Sequence, residues 1–350
     1  MDLTPATRGE LAEALAVASD DGRTVRVMGG GTASRRGRPA HADDTICTRG
    51  LDRVVDYAPA DMIVTVEGGA LATDVAALLA GSGQRWAQAD ITPGATVGGI
   101  LAGARTGRAR LRHGAVRDSL MEVVVATGDG RVVTGGGRTV KLVTGFDLPR
   151  LMVGSLGTLG VIVQATLKLW PEPMASGWFT AQGDTTDMLA LANDVLASYH
   201  RPAAVIVRPG AMDALIEGAP DDVMAPPGAE PSHEPTDPEG VGLVEMGVPP
   251  AALGAVVRRL DQAGEQFEVW MGTGICRVAV ADARDVASVR QLAAEHGGHA
   301  QVLDGPDALR SDPFGPPPPG VDIMRRLRQA FDPAGILSPG NFVAEEVATA

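Results

Sequence analysis

Val25–Arg26–Val27–Met28 runs directly into Gly29–Gly30–Gly31–Thr32–Ala33–Ser34, and the fold turns on how this stretch is read. Thr24 to Met28 is short, β-branched and apolar, which predicts a strand; three consecutive glycines then predict a turn whose backbone N–H groups converge. Upstream, Thr7 and Glu10 have capping-box spacing, and Leu11, Ala14, Leu15 and Ala18 recur at helical period until Gly22, so an amphipathic helix precedes the strand. Downstream, Met62 to Glu67 reads as a strand, and Leu71, Val75, Leu78 and Leu79 form a helix face that Gly81 and Gly83 close. A second glycine run, Thr92–Pro93–Gly94–Ala95–Thr96–Val97–Gly98–Gly99, follows. Glu122 to Ala126 and Arg131 to Thr134 are joined by Asp129–Gly130, a dipeptide suited to the positive φ angles of a tight hairpin. Gly160 to Leu169 sets Val161, Val163, Ala165, Leu167 and Leu169 against Gln164, Thr166 and Lys168, which predicts a half-buried strand; Trp170–Pro171–Glu172–Pro173 ends it.

The chain has 350 residues, enough for two lobes with separate cores. With 45% apolar and 21% charged residues and no apolar run near the roughly 18 needed to span a bilayer, neither a disordered chain nor a membrane span is expected. MDLTPATRGE has no basic start and no apolar run, so a cytoplasmic location is expected. Two cysteines, Cys47 and Cys276, exclude a disulfide framework and a four-thiolate iron–sulfur cluster. A formal charge of −13 argues against nucleic acid, and the short runs Arg35, Arg36, Arg38 and Arg325, Arg326, Arg328 read as solvated faces. Apart from His296 and His299, the six histidines show no metal-ligand spacing, so no metal is expected.

The second half alternates differently: strand 177–180, helix 186–199, strand 203–208, an acidic, proline-rich stretch 216–240 read as a mobile loop, strand 241–247, helix 250–263, strands 267–271 and 275–280, helix 284–296 and strand 299–303. This predicts an α+β lobe made of two similar strand–helix–strand passages. A proline run at 316–319 leads to a helix from Asp322 to Phe331 and the turn Asp332 to Gly340. The expected organisation is a first domain over 1–173, a cap over 174–320, and a tail over 321–350 that returns to the first domain.

Glycine turns matter most in an acidic chain, because fixed N–H groups can hold phosphates without lysine, each charge-assisted bond contributing roughly 1.5–3 kcal/mol. The order Val27 to Thr32, then Pro93 to Gly99, then Gly114–Ala115–Val116–Arg117–Asp118 resembles the vanillyl-alcohol-oxidase, or PCMH, type of FAD-binding domain. Val140–Lys141–Leu142–Val143–Thr144–Gly145–Phe146–Asp147–Leu148, Gly154–Ser155–Leu156–Gly157–Thr158–Leu159–Gly160–Val161 and the ending Phe331 to Gly340 are similar to FAD-binding subunits of bacterial glycolate oxidases. The resemblance runs end to end and implies a two-lobed α+β fold: a PCMH-type FAD-binding domain and a cap with an antiparallel sheet. It implies FAD, with Gly29, Gly30, Gly31, Thr32, Ala33 and Ser34 around the pyrophosphate. Pro93, Gly94, Ala95, Thr96, Gly98, Gly99, Ala102 and Gly103 would line the flavin and ribityl chain, Gly157, Gly160, Val161 and Ile162 would meet the adenine end, and Gly114, Arg117 and Asp118 belong to the same set. Met28 stands where the family commonly has Arg, and Thr32 and Ala33 occupy the region where covalent members carry a histidine, so the flavin is expected to be noncovalent; His113 lies in another motif.

Oxidising a 2-hydroxy acid requires a hydride acceptor, a cation for the carboxylate and a base for the hydroxyl proton. By resemblance the cation is Arg277; for the base the candidates are His296 and His299 in Glu295–His296–Gly297–Gly298–His299, with His299 matching a Gly–Gly–His of the family. Arg277 also reads as a surface residue of an alternating strand and His299 as an exposed histidine. The expected partners are a small 2-hydroxy acid (glycolate or D-lactate type), a second FAD subunit and an iron–sulfur subunit, with membrane association only through those chains. Oxidation at this chain's own FAD and a purely electron-carrying or structural role both remain open. A standalone reductase of an enolpyruvyl sugar nucleotide would suit the architecture, but the ending argues against it.

Overall fold

The computed structural model describes residues 2–138, 146–198 and 201–343. In the first lobe, β2 (Val25–Met28) pairs in parallel with β3 (Asp44–Cys47), which also pairs with β1 (Asp2–Leu3). A five-stranded antiparallel sheet lies beside it in the order β4 (Val54–Ala58), β5 (Ile63–Glu67), β9 (Val161–Lys168), β7 (Leu120–Ala126), β8 (Val132–Gly136). The short pair β6 (Gln84–Arg85) and β10 (Trp170–Pro171) completes the lobe. Helix α1 (Arg8–Asp20) starts where expected: the Thr7 side chain accepts from the Glu10 N–H at 3.2 Å, and Glu10 reaches back to the Ala6 N–H at 2.8 Å.

β9 departs from the half-buried strand expected of its alternation. Ile162 and Thr166 are buried along with Val161, Val163, Ala165 and Leu167, because β9 is the central strand of a sheet covered on both sides. Its register with β7 shifts between Val124 and Val125. Val161 and Val163 join a core with Leu11, Leu15 and Leu337, whereas Ile162, Ala165 and Leu167 join another with Val64, Ile100 and Leu101.

The cap is an eight-stranded sheet in the order β14 (Glu230–Ser232), β11 (Ala175–Gln182), β13 (Ala211–Gly218), β12 (Ala204–Arg208), β16 (Phe267–Trp270), β17 (Ile275–Val280), β15 (Gly242–Gly247), β18 (His299–Asp304), with antiparallel pairing throughout. Residues of helices α6 (Thr185–Ala197), α7 (Leu253–Gln262) and α8 (Ala283–Glu295) form one core with Val205, Met212, Val244, Phe267, Cys276 and Val302. By strand alternation the other face carries Asp213, Glu217, Glu245, Glu268, Trp270, Arg277 and Gln301, and it turns toward the first lobe. The stretch 216–240, read from composition as a mobile loop, is more ordered than that. Glu217 lies in β13, residues 230–232 pair with β11, and Asp237 is ion-paired. Its proline and acidic content is accommodated by strand pairing and arginine contacts rather than by an apolar core of its own.

After helix α9 (Val321–Phe331) the chain returns to the first lobe. The Val25 N–H donates to the Ile336 carbonyl and the Ser338 N–H to the Val25 carbonyl, both at 2.8 Å. Asp332, 1% exposed, accepts from the Ile336 and Leu337 N–H groups at 3.1 and 2.9 Å. No helix among the described residues is long and apolar enough to cross a membrane. Asp332→Ala leaves two buried N–H groups without their acceptor, so it is expected to cost about 1–3 kcal/mol and lower the thermal midpoint by several degrees, measurable by calorimetry.

Candidate functional site

The glycine turn after β2 packs backbone to backbone on the second glycine run. A Cβ on Gly30 would fall 1.6 Å from the Gly94 carbonyl oxygen, and one on Gly29 would fall 2.2 Å from Thr96 Oγ1. Only hydrogen fits at either position. Thr96 in turn caps the short helix α3 (Val97–Ala102), its side chain accepting from the Gly99 N–H at 3.2 Å, and the Gly98 N–H donates to the Gly68 carbonyl at 2.7 Å.

This packing opens a cleft of about 400 Å³ lined by residues 29–34, Thr96, Gly98, Gly99, Ala102, Gly103, Gly157, Gly160, Val161 and Ile162. The sequence-predicted residues therefore converge on one cleft, with six exceptions. Pro93, Gly94 and Ala95 are not among its lining residues, and Gly94 and Ala95 pack behind Gly30 and Val97 instead. Gly114 and Asp118 form a local turn in which the Asp118 carboxylate accepts from the Ala115 N–H at 2.9 Å. Arg117 lines the neighbouring cavity. Residues 139–145, the bulk of the Val140–Leu148 motif, lie outside the described residues.

Of the arginine runs expected on solvated faces, Arg35 and Arg325 are exposed, but Arg36, Arg38 and Arg328 are not simply solvated. Arg26, Arg36, Arg38 and Arg310 all line the cleft, against a single lining carboxylate, Asp307. Arg36, Arg38 and Arg310 each keep a buried Nε–H without an acceptor among the described residues. Arg36 donates to the Gly103 carbonyl at 2.5 Å and Arg38 to the Phe342 carbonyl at 2.9 Å, so neither belongs to a solvated face. Burial lowers the pKa of Arg36, with Arg105 and Arg277 adding repulsion. In the second run, Arg325 pairs with Asp322 on the surface, but Arg328 lies over the Phe342 ring at 4.8 Å.

A glycine cradle, a surplus of guanidinium groups and orphaned buried donors fit a large ligand with a diphosphate. The cleft opens onto a second cavity of about 350 Å³, sharing Thr32, Ala33, Arg36 and Gly103 with it. The far wall of that cavity is the cap sheet, with Glu245, Trp270, Arg277 and Gln301.

Arg277 is in place but engaged. Its guanidinium donates to Asp237 at 2.7 Å and to Glu245 at 3.4 Å, lies 3.6 Å from Glu268 and stacks 4.7 Å from the Trp270 ring centroid. Burial works against its charge, but the three carboxylates outweigh that and raise its pKa. Burial raises that of Glu268, which takes bonds from Arg108 at 2.9 Å and Trp270 at 2.9 Å. His299 opens the edge strand β18, is exposed, and packs over Gly247; it lines neither cavity. Among the described residues no histidine lines either cavity.

The segment 105–117 carries Arg105, Arg108, Arg110, Arg112 and Arg117, a basic run that sequence reading passed over. Arg105 pairs with Asp90 at 2.7 Å, and Arg108 crosses to the cap at Glu268 and Asp237. Arg110 lines the second cavity and, among the described residues, has no carboxylate within ion-pair distance, and burial lowers its pKa. Beyond the cavity, Glu217 of the cap accepts from Arg85 at 2.7 Å and bonds His113 at 2.9 Å, while Arg112 donates to the Glu217 carbonyl at 2.6 Å.

Residues 2–136 match the family described as FAD binding domain, and residues 316–342 match the C-terminal domain of FAD linked oxidases. The chain is 28% identical over 351 residues to glycolate oxidase subunit GlcE of Escherichia coli, covering 96% of this chain and 97% of that one. It is 30% identical over 202 residues to the mitochondrial D-lactate dehydrogenase [cytochrome] 1 of Saccharomyces cerevisiae, covering 56% and 34% of the two chains. Solved alkyldihydroxyacetonephosphate synthase superposes with a TM-score of 0.67 at 15% identity, over 97% of this chain and 75% of that one, which shows a shared fold. The first lobe is an FAD-binding domain of the PCMH type, and FAD is the cofactor for which the cradle is built.

Gly30→Ala is expected to yield protein without bound flavin, read directly from the visible spectrum after purification. Burial pushes the Glu217 pKa up, but the bonds from His113 and Arg85 outweigh it and hold the carboxyl down from 4.5 to about 2. A depressed carboxyl pKa contributes stability above pH 4.5 that is lost as pH falls toward 2. Glu217→Gln is therefore expected to flatten the acid limb of a thermal-midpoint profile between those values.

Proposed function

We propose that this FAD-binding chain is the electron-carrying flavin subunit of a multi-subunit 2-hydroxy-acid dehydrogenase, in which the hydroxy acid is oxidised on a partner chain. The observation that carries this reading is the state of Arg277: the guanidinium that would clamp a substrate carboxylate is already held by Asp237, Glu245 and Glu268. His299, the residue proposed as base, sits on an exposed sheet edge. Similarity to a glycolate oxidase subunit over nearly the whole length supports the hydroxy-acid class and assembly with other subunits; the partners in this reading are a second FAD subunit and an iron–sulfur subunit.

FAD supplies the reversible acceptance of electrons. The chain's own residues bind and orient it. The turn 29–34 would present backbone N–H groups, and Arg36, Arg38 and Arg310 would offer their orphaned donors, to the diphosphate. Thr96 and the glycines of α3 allow close approach of the ring system, and the attachment is noncovalent. Asp307 and Arg310, which follow the cap sheet, line one side of the cleft. A second reading, oxidation at this chain's own flavin, draws support from Arg36 and Arg110, which line the cap-side cavity without a carboxylate partner among the described residues and could orient a small anion.

Anaerobic addition of glycolate or D-lactate to the purified holoprotein separates the two. Flavin that stays oxidised until the partner chains are added supports the electron-carrying reading; bleaching in the isolated chain overturns it. Independently, Arg310→Met and Arg36→Met are each expected to weaken FAD binding about 10- to 100-fold, as loss of one charge-assisted contact predicts, with a shallower salt dependence measured by titrating apoprotein with FAD.

A further inference from the structure

Leu156 has a backbone conformation that leucine rarely takes. Ser155–Leu156–Gly157–Thr158 is a tight turn closed by the Thr158 N–H on the Ser155 carbonyl at 2.9 Å, and both central residues have positive φ, 52° at Leu156 and 76° at Gly157. Such a turn suits glycine or asparagine at its centre, whereas the leucine Cβ crowds the following carbonyl. The conformation is held from outside at both ends of the residue: the Leu156 N–H donates to the Ala102 carbonyl at 2.9 Å, and the Leu156 carbonyl accepts from Asn341 Nδ2 at 3.1 Å. Asn341 also closes a second strained turn. Ser338, 3% exposed and with φ 44°, donates its N–H to the Val25 carbonyl at 2.8 Å, and its carbonyl accepts the Asn341 N–H at 3.1 Å. Five non-glycine residues among those described have positive φ; the two that line the FAD cleft, Leu156 and Ser338, are the two that Asn341 bonds, and Asn341 lines the cleft with them.

Strained backbone persists where its surroundings over-determine it, and its place at a ligand cleft points to function. We propose that Asn341 is a positioning residue for FAD: it clasps the 155–158 turn to the 338–341 turn and so keeps two parts of the cleft wall together around the cofactor. Without the Nδ2 bond, Leu156 is free to relax to negative φ, which turns the peptide ahead of Gly157 and displaces the cleft residues that follow, Gly160, Val161 and Ile162. The clasp reaches a third segment as well. The Arg38 N–H donates to the Gly340 carbonyl at 2.8 Å, and a Cβ on Gly37 would fall 1.9 Å from Asn341 Oδ1, so the carboxamide is seated between the Gly37 backbone and Leu156 with its nitrogen toward the latter. Residues 38–40, 156–157 and 338–341 all contribute to one cleft, and bonds that join them oppose their separation. An aspartate in this place would set a carboxylate oxygen against the Leu156 carbonyl and cannot make the bond.

The inference concerns retention of the cofactor and holds whichever chain oxidises the hydroxy acid. Its test is a double-mutant cycle on the FAD-loaded chain, read as the rate of FAD release after dilution from the rise of flavin fluorescence. Asn341→Ala and Asn341→Asp are each expected to release FAD about 5- to 10-fold faster than the wild type, as loss of one hydrogen bond predicts. Leu156→Gly supplies a residue that takes positive φ unaided, and in that background the same Asn341 substitutions should change the release rate less than about 2-fold. A carboxamide that acted by touching the cofactor, or by general stability, would give one factor in both backgrounds. That result overturns the proposal, as does release from the Asn341 variants at the wild-type rate. If the Asn341 variants fold only together with Leu156→Gly, the same coupling is shown at the level of folding; if they fold in neither background, Asn341 serves folding alone and the proposal fails. Glycolate-driven bleaching, which decides the electron-carrying reading, does not enter these rates.

Discussion

The molecule is held in its working shape by a carboxylate that no water reaches. Glu268 lies in the middle of the cap sheet, wholly buried, and its charge is met from one side by Arg277 of its own sheet and from the other by Arg108 of the first lobe. Taking an ion from water into a protein interior costs several kcal/mol, and removing one partner of such a pair leaves most of that cost uncompensated. Separation of the lobes would strip Arg108 away and leave Glu268 under-compensated. The same face carries Glu217, which depends on Arg85 and His113 of the first lobe in the same way. Ionic docking at Glu268 and Glu217, together with apolar packing of Ala109 and Leu111 against the cap, thus sets the distance between cap and cradle and creates the second cavity between them.

Apolar periodicity made most of the fold legible. Helix α1, the strand into the glycine turn, the Asp129–Gly130 hairpin and nearly every cap element lie within a few residues of their expected bounds, because each is a local pattern with its own stop signal. The failures have physical causes. The alternation in β9 could not reveal that its polar-looking face is covered by a second core, since burial of a central strand is decided by layers that come from elsewhere in the chain. Composition over 216–240 predicted no order, yet β14 and Asp237 are ordered by partners far away in sequence.

The FAD cleft was legible from the glycine turns together with the family resemblance of their order, and the glycines themselves are a local property: Gly30 must be glycine wherever the Gly94 carbonyl lies against it. The charged part of both cavities was not. A net charge of −13 hides the basic segment 105–117, and the arginines there alternate without any apolar period that would assign them a face. Arg277 was found and its neighbours were not. Whether a guanidinium is free or spoken for depends on Asp237, Glu245 and Glu268, three residues on three separate segments.

The closing segment bears on how the protein is made. Residues 336–338 pair with Val25 along β2, and Arg310, Ser338 and Asn341 stand among the residues around the FAD cleft. Synthesis proceeds from the N terminus, so the glycine turn leaves the ribosome some three hundred residues before the groups that enclose it. During that interval β2 has an unpaired edge and the cleft lacks part of its wall. FAD can be fully enclosed only after residues 336–341 have emerged, which makes cofactor capture late relative to synthesis of the glycine turn and leaves the nascent first lobe with an edge for chaperones to guard.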